Sequence, residues 1–106
     1  MIHEILEFAG FVEGETYRET RFAKAPRETY AVFGDSFERR GADDRNYIKE
    51  HDATVELYAY APDPEAEARL EEAFDFYGVA YEKEERYYLD EESLYQTIYH
   101  FGFIEK

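Results

Sequence analysis

The sequence predicts an α+β fold: a mostly antiparallel β-sheet packed against a short N-terminal helix and one strong amphipathic helix at about 63–77. Three observations predict it. "PDPEAEARLEEAFDFYG" carries an apolar stripe at helical spacing with both ends marked. "ATVELYAY" and "SLYQTIYHFGFIE" alternate with the period of a half-buried strand. The strands are grouped around the strong helix rather than alternating with helices throughout. At 106 residues the chain is long enough for one core, hence a single domain over 1–106.

The elements follow in order. Ile2, Ile5, Leu6 and Ala9 recur at i, i+3, i+4 and i+7, the face of a short helix that Gly10 can end. After a turn at Gly14, "TYRETRFAK" reads as a strand or an extended arm, and Pro26 demotes it to an edge or a loop. "TYAVFGD" (29–35) is a short strand, with "SFERR" as its hairpin partner after Gly34-Asp35. The polar stretch 41–52 reads as a loop. In "ATVELYAY" (53–60), Val55, Leu57 and Ala59 share one face, and Glu56, Tyr58 and Tyr60 the other.

The strong helix has Asp63 at its N-cap, Pro64 in the first helical position and Glu65 and Glu67 near the positive end of the dipole. Ala66, Leu70, Ala73, Phe74 and Tyr77 form its stripe, and Gly78 closes it. Two strand-like runs follow, 79–89 and 93–105, around an acidic turn at Asp90–Glu92. The last places Tyr95, Thr97, Tyr99, Phe101 and Phe103 on one face, and Gln96, Ile98 and His100 on the other.

The composition is unusual in two ways. There are 11 Tyr and 9 Phe, many rings for one small core, so some are expected against another chain. The formal net charge is −14, and it is uneven: residues 1–53 carry a net −4 and residues 54–106 a net −10. Such a surface repels nucleic-acid phosphates. It suits simple solubility, mimicry of DNA, or a wall that DNA passes without sticking. Cysteine is absent, which excludes disulfides, thiolate metal sites and Cys nucleophiles. The start "MIHEILEFAGF" has no basic n-region, and no apolar run is long enough to span a bilayer, so a soluble protein made in the cytoplasm is expected.

No enzymatic constellation emerges. Glu50-His51-Asp52, with Asp43 and Asp44 upstream, are metal-ligand types, but consecutive residues entering a strand point to alternate faces and cannot converge. None of His3, His51 and His100 lies in a nucleophile motif, and His100, within an apolar strand, reads as a hydrogen-bonded structural histidine. The six glycines are scattered, so no phosphate-cradling loop forms. No catalytic residue, cofactor or metal is expected.

Four segments in order carry a resemblance: "TYAVF", "ERRGADDRNYIKEHDATVELYAY", "DPEAEARLEEAF" and "YQTIYHFGFIEK". Together they look like the small tail-terminator, or tail-completion, proteins of long-tailed bacteriophages and prophages, also described as minor capsid or head–tail joining proteins. "TYAVFG" stands where a proline-led apolar strand is more typical of that family. The resemblance implies a structural, non-enzymatic protein forming an oligomeric ring, commonly a hexamer. Such a ring caps the head-proximal end of the tail tube, stops its growth and docks to the head connector during virion assembly. The implied partners are further copies of the chain, the tail tube protein and the head-completion protein, with DNA passing through unbound. The implied location is the head–tail junction of the virion, reached from the host cytoplasm.

For a ring, the charged stretch becomes a candidate subunit or docking interface. Arg39, Arg40 and Arg45, set beside Asp43, Asp44 and Tyr47, can pair across a heterologous contact and fix its register. The other readings of the sequence are a different head–tail joining or stopper ring, and a small acidic inhibitor that mimics DNA.

Overall fold

The computed structural model describes residues 1–40 and 48–105, with residues 37–40, 48, 49 and 105 described by their backbone alone. Two helices, α1 (Ile2–Phe8) and α2 (Pro64–Phe76), pack on one face of a six-stranded sheet. The strands are β1 (Tyr17–Glu19), β2 (Tyr30–Arg40), β3 (Ile48–Ala59), β4 (Tyr81–Lys83), β5 (Tyr87–Leu89) and β6 (Leu94–Glu105). Their spatial order is β1-β2-β3-β6-β4, with β5 also on β6. All pairings are antiparallel except β1 with β2. The α+β class and the one-sided helices are as the sequence predicts.

Both helices form for the reasons their sequences give. The α1 stripe buries Ile2, Ile5 and Leu6, and Ala9 closes the helix before Gly10 takes a φ of +98°. Asp63 caps α2 by accepting the Ala66 N–H at 3.0 Å, and its other carboxylate oxygen accepts the Thr29 hydroxyl at 2.6 Å. Leu70, Ala73 and Phe74 are fully buried against Val55, Tyr99 and Phe101 of the sheet. Arg69 donates from Nε to the Ala9 carbonyl at 3.0 Å, so α2 also satisfies an orphan carbonyl at the end of α1.

A second, smaller apolar cluster lies on the opposite face: Tyr30, Val32 and Leu94, with Phe22 and Tyr58 against them. The Tyr30 and Tyr58 rings stack at 5.2 Å, and Phe22 meets Tyr30 edge-on at 5.4 Å. The segment 20–29, which carries the chain from β1 back to its parallel neighbour β2, supplies Phe22. Part of the aromatic excess is thus covered by the chain itself.

Three expectations need correction. Gly34-Asp35 is not a turn: β2 runs unbroken through it, and Gly34 pairs with Thr54. A Gly-Asp pair signals a hairpin only where no neighbouring strand continues to offer hydrogen bonds, and β3 does so up to Arg40. The second correction concerns 41–52, read as a loop: β3 begins at Ile48, so Ile48–Asp52 is strand. Third, 79–89 is two short strands, not one; both lie along the outer edge of β6, separated by residues 84–86.

The result is a long central ribbon. β2, β3 and β6 have 11, 12 and 12 residues, close to 40 Å of strand at about 3.3 Å per residue. The longest extent of the molecule is 49 Å. At one end the ribbon lies between the helices and the 20–29 segment. At the other it extends past them.

Candidate functional site

The candidate interface named from the sequence falls largely outside the described residues: Asp43, Asp44, Arg45 and Tyr47 lie in 41–47. Arg39 and Arg40 are the last residues of β2, described by backbone alone. Their position is still informative, because it is the far end of the ribbon.

Where the ribbon leaves the helix layer there is a cleft of about 370 Å³, lined by Met1, His3, Glu19, Asp35, His51 and Phe103 among others. β3 and β6 place His51 and Phe103 opposite one another, and their rings stack at 4.3 Å with 8° between planes. His51 Nδ1 lies 2.9 Å from the Asp35 carboxylate. His51 is therefore tied to a residue of β2, the strand on the other side of β3 from β6.

His3 completes the wall through a hydrogen-bond chain that sequence reading missed. Tyr17, fully buried, donates its hydroxyl to Glu7 at 2.8 Å, and His3 Nδ1 stands 2.9 Å from the same oxygen. With the phenol proton given to Glu7, His3 is the donor in the second contact. Burial, reinforced by Glu7, pushes the Tyr17 pKa up, so the hydroxyl is held as a neutral phenol. Ligand atoms of His3, Glu7 and Glu13 lie within 4.8 Å of one another, all three residues being exposed. Tyr17 already accounts for the placing of His3 and Glu7.

A second polar network lies on α2. Glu67 is 7% exposed. It meets Lys83 Nζ at 2.9 Å through one oxygen and Arg86 Nε at 2.9 Å through the other. Lys83 also reaches Glu71 at 2.7 Å, and the buried Tyr99 donates to Glu71 at 2.8 Å. Burial works to raise the Glu67 pKa, but hydrogen bonds from Lys83 and Arg86 outweigh it and hold the carboxyl below its ordinary range. The same carboxylates raise the Lys83 pKa against the effect of its own burial. This network pins the β4–β5 connection to the helix. It was hidden in the sequence because nothing local distinguishes Glu67 from the exposed acids around it.

The two edges of the sheet differ in charge. On the β1 side, residues 18–28 include Arg18, Arg21, Lys24 and Arg27, all exposed, for a net +2. On the β4–β5 side, residues 82–92 carry a net −4, and their two cations, Lys83 and Arg86, are the ones engaged by Glu67. His100, on the second face of β6, pairs with Glu84, which agrees with the hydrogen-bonded role expected for it.

Both edges leave backbone groups open. β1 covers β2 only from Ala31 to Phe33, and β4 covers β6 only from Tyr99 to Phe101. The Ala31 N–H and the Phe33 carbonyl point outward, to Thr16 and Thr20. Alternation along an unbroken strand then sets the N–H and C=O of Asp35, Phe37 and Arg39 outward too. Similarly, the outward Ile98 carbonyl, bonded to Glu84, places the groups of Gly102 and Ile104 on the outer side of β6. Among the described residues no strand pairs with these five positions.

No protein-family model matches the chain, and no curated protein matches it.

Proposed function

We propose that this chain is a structural subunit of a phage or prophage ring that terminates the tail tube and joins it to the head, with no catalytic role. The observation that carries the reading is where the four resembling segments fall. They occupy β2, β3, α2 and β6, which are the three adjacent central strands and the helix packed on them. The likeness therefore spans one contiguous half of the fold and is not a scatter of loops. Two further features support it. The ribbon projects beyond the helices and ends at the charged stretch that the ring reading assigns to subunit contact. The acidic residues concentrate on α2 and the β4–β5 side, a surface that repels DNA phosphates and so suits a wall along which DNA slides.

The test is assembly. The chain is mixed with a tail tube protein from the same genome, and the tubes are examined by negative-stain microscopy. Tubes of limited length, each capped at one end by a ring, are expected. Tubes that grow as long as in its absence, with no density added at either end, would reject the reading. Tight stoichiometric inhibition of a nuclease or polymerase would favour a DNA mimic instead.

A further inference from the structure

We infer that an aromatic knob at the C-terminal ends of the two helices docks, between copies, into an aromatic pocket on the opposite face of the sheet, with Phe76 as the inserted ring. This deepens the ring reading and rests on it for closure of the ring; the contact itself is argued from the two surfaces.

The knob is Phe8 and Phe76, the last residues of α1 and α2. Their rings stack at 4.5 Å, and Tyr77 meets them edge-on at 6.0 and 5.1 Å. Even so, Phe8 is 43% exposed and Phe76 66%. Glu4 and Glu72 stand one turn before the two phenylalanines, Glu7 and Asp75 directly before them, and all four are exposed. Neither helix has a basic residue in its last turn. The negative ends of both dipoles are thus reinforced by carboxylates instead of being offset.

The pocket lies in the small apolar cluster on the other face. It has a volume of about 230 Å³ and is lined by Phe22, Tyr30, Val32, Tyr58, Leu89 and Leu94 among others. An apolar cavity of roughly 150 Å³ takes a benzene ring, so the space admits one phenyl ring. One wall is the segment that carries Arg18, Arg21, Lys24 and Arg27, all exposed. Among the described residues none of these four forms an ion pair, although acids outnumber bases by 26 to 12 in the chain. Glu92 lines the pocket on the β5 side, so an acidic knob is oriented towards the basic wall.

Charge and shape together select a second copy as the occupant. The knob presents carboxylates around an exposed ring, and the pocket presents cations around a ring-sized space. No chain can fill its own pocket, because helices and pocket lie on opposite faces of the sheet. Asp63 also ties Thr29, at the end of the pocket segment, to the start of α2, and α2 then carries Phe76 roughly 20 Å away at about 1.5 Å per residue. Knob into pocket is a heterologous contact, which passes from copy to copy and closes when the rotation allows. Knob against knob would set like carboxylates together.

The test separates the two halves of the contact. Phe76→Ser removes the ring and leaves the pocket intact, whereas Arg21→Glu with Lys24→Glu reverses the wall and leaves the knob intact. All three side chains are exposed, and circular dichroism checks that each variant folds. Sedimentation velocity is expected to show wild type as a concentration-dependent series of dimers and larger species. Phe76→Ser should weaken association roughly tenfold to a hundredfold, the range for burying one Phe side chain. The reversed wall repels the knob and should weaken it at low salt. An equimolar mixture of the two variants regains one sound contact, the knob of the charge-reversed chain in the pocket of the serine chain, and should stop at dimer. A wild type that stays monomeric, a folded variant that associates as wild type does, or a mixture no stronger than its components would overturn the inference. Association that Phe76→Ser abolishes, in a chain that leaves tubes uncapped, would keep the contact and reject the terminator reading. Tubes capped as well by the Phe76→Ser chain as by wild type would do the reverse.

Discussion

Glu67 shows how far one residue's role can depart from its local signal. Its place in the first turn of α2 marks it as an exposed acid favoured by the helix dipole. In the fold it is covered, and its two oxygens bridge Lys83 and Arg86 on the segment that joins β4 to β5. Removing one partner of a buried pair commonly costs roughly 3–5 kcal/mol. Lys83 and Arg86 are 35% and 34% exposed, however, and can turn to water when the carboxylate is lost. Glu67→Ala is therefore expected to destabilise by about 2 kcal/mol, read as a lower urea midpoint at pH 7. The pH dependence has a definite sign. The folded-state pKa lies below the ordinary value of 4.5, so the contribution of Glu67 is present above that value and is lost as pH falls through the folded one. The stability gap between wild type and Glu67→Gln should be constant near neutrality and close as the pH drops below 4.5. A gap that widens in acid would contradict the ion-pair account.

At the scale of elements, the legible parts are those whose signal is local. The stripe and caps of α2, the face of α1 and the alternation of 53–60 and 93–105 all survive in the fold. Asp63 makes a quantitative case, since it holds both the Ala66 N–H and the Thr29 hydroxyl. Asp63→Ala should cost about 1–2 kcal/mol, and Asp63→Asn less, because the amide oxygen can still accept from the helix. Gly78, at φ +68° with open space where a Cβ would stand, isolates the backbone effect; Gly78→Ala should lower stability by about 1 kcal/mol. Thermal melts of the three variants check both values. What the sequence hides is set by neighbours in space. Gly34 reads as a turn residue until β3 is seen to run alongside it, and the charged residues of 48–52 mask a strand that β2 and β6 hold from both sides. The division of β4 from β5 depends on Glu67, more than a dozen residues away. The candidate interface was legible only as composition: charge located it at the ribbon's end, while the open backbone groups of Asp35, Gly102 and Ile104 have no signature in residue type.

For the whole molecule, net charge opposes stability, and added salt relieves that opposition. A formal charge of −14 on 106 residues makes the folded monomer repel itself, and most of the acids are exposed. Screening at a Debye length of about 8 Å, reached near 0.15 M salt, relieves that repulsion. The buried Glu67 pairs are screened much less. The monomer's melting temperature should therefore rise by a few degrees between about 0.02 and 0.2 M sodium chloride, near 1 kcal/mol for a domain of this size. Differential scanning calorimetry over one salt series checks the shift. Charge reversal at Arg21, Lys24 and Arg27 sharpens the comparison. The triple Glu variant takes the formal charge further from zero, so it should melt lower than wild type at low salt and recover part of the difference as salt is added. If it melts as wild type does at low salt, the summed repulsion of the acids does not limit stability, and the buried contacts alone set it.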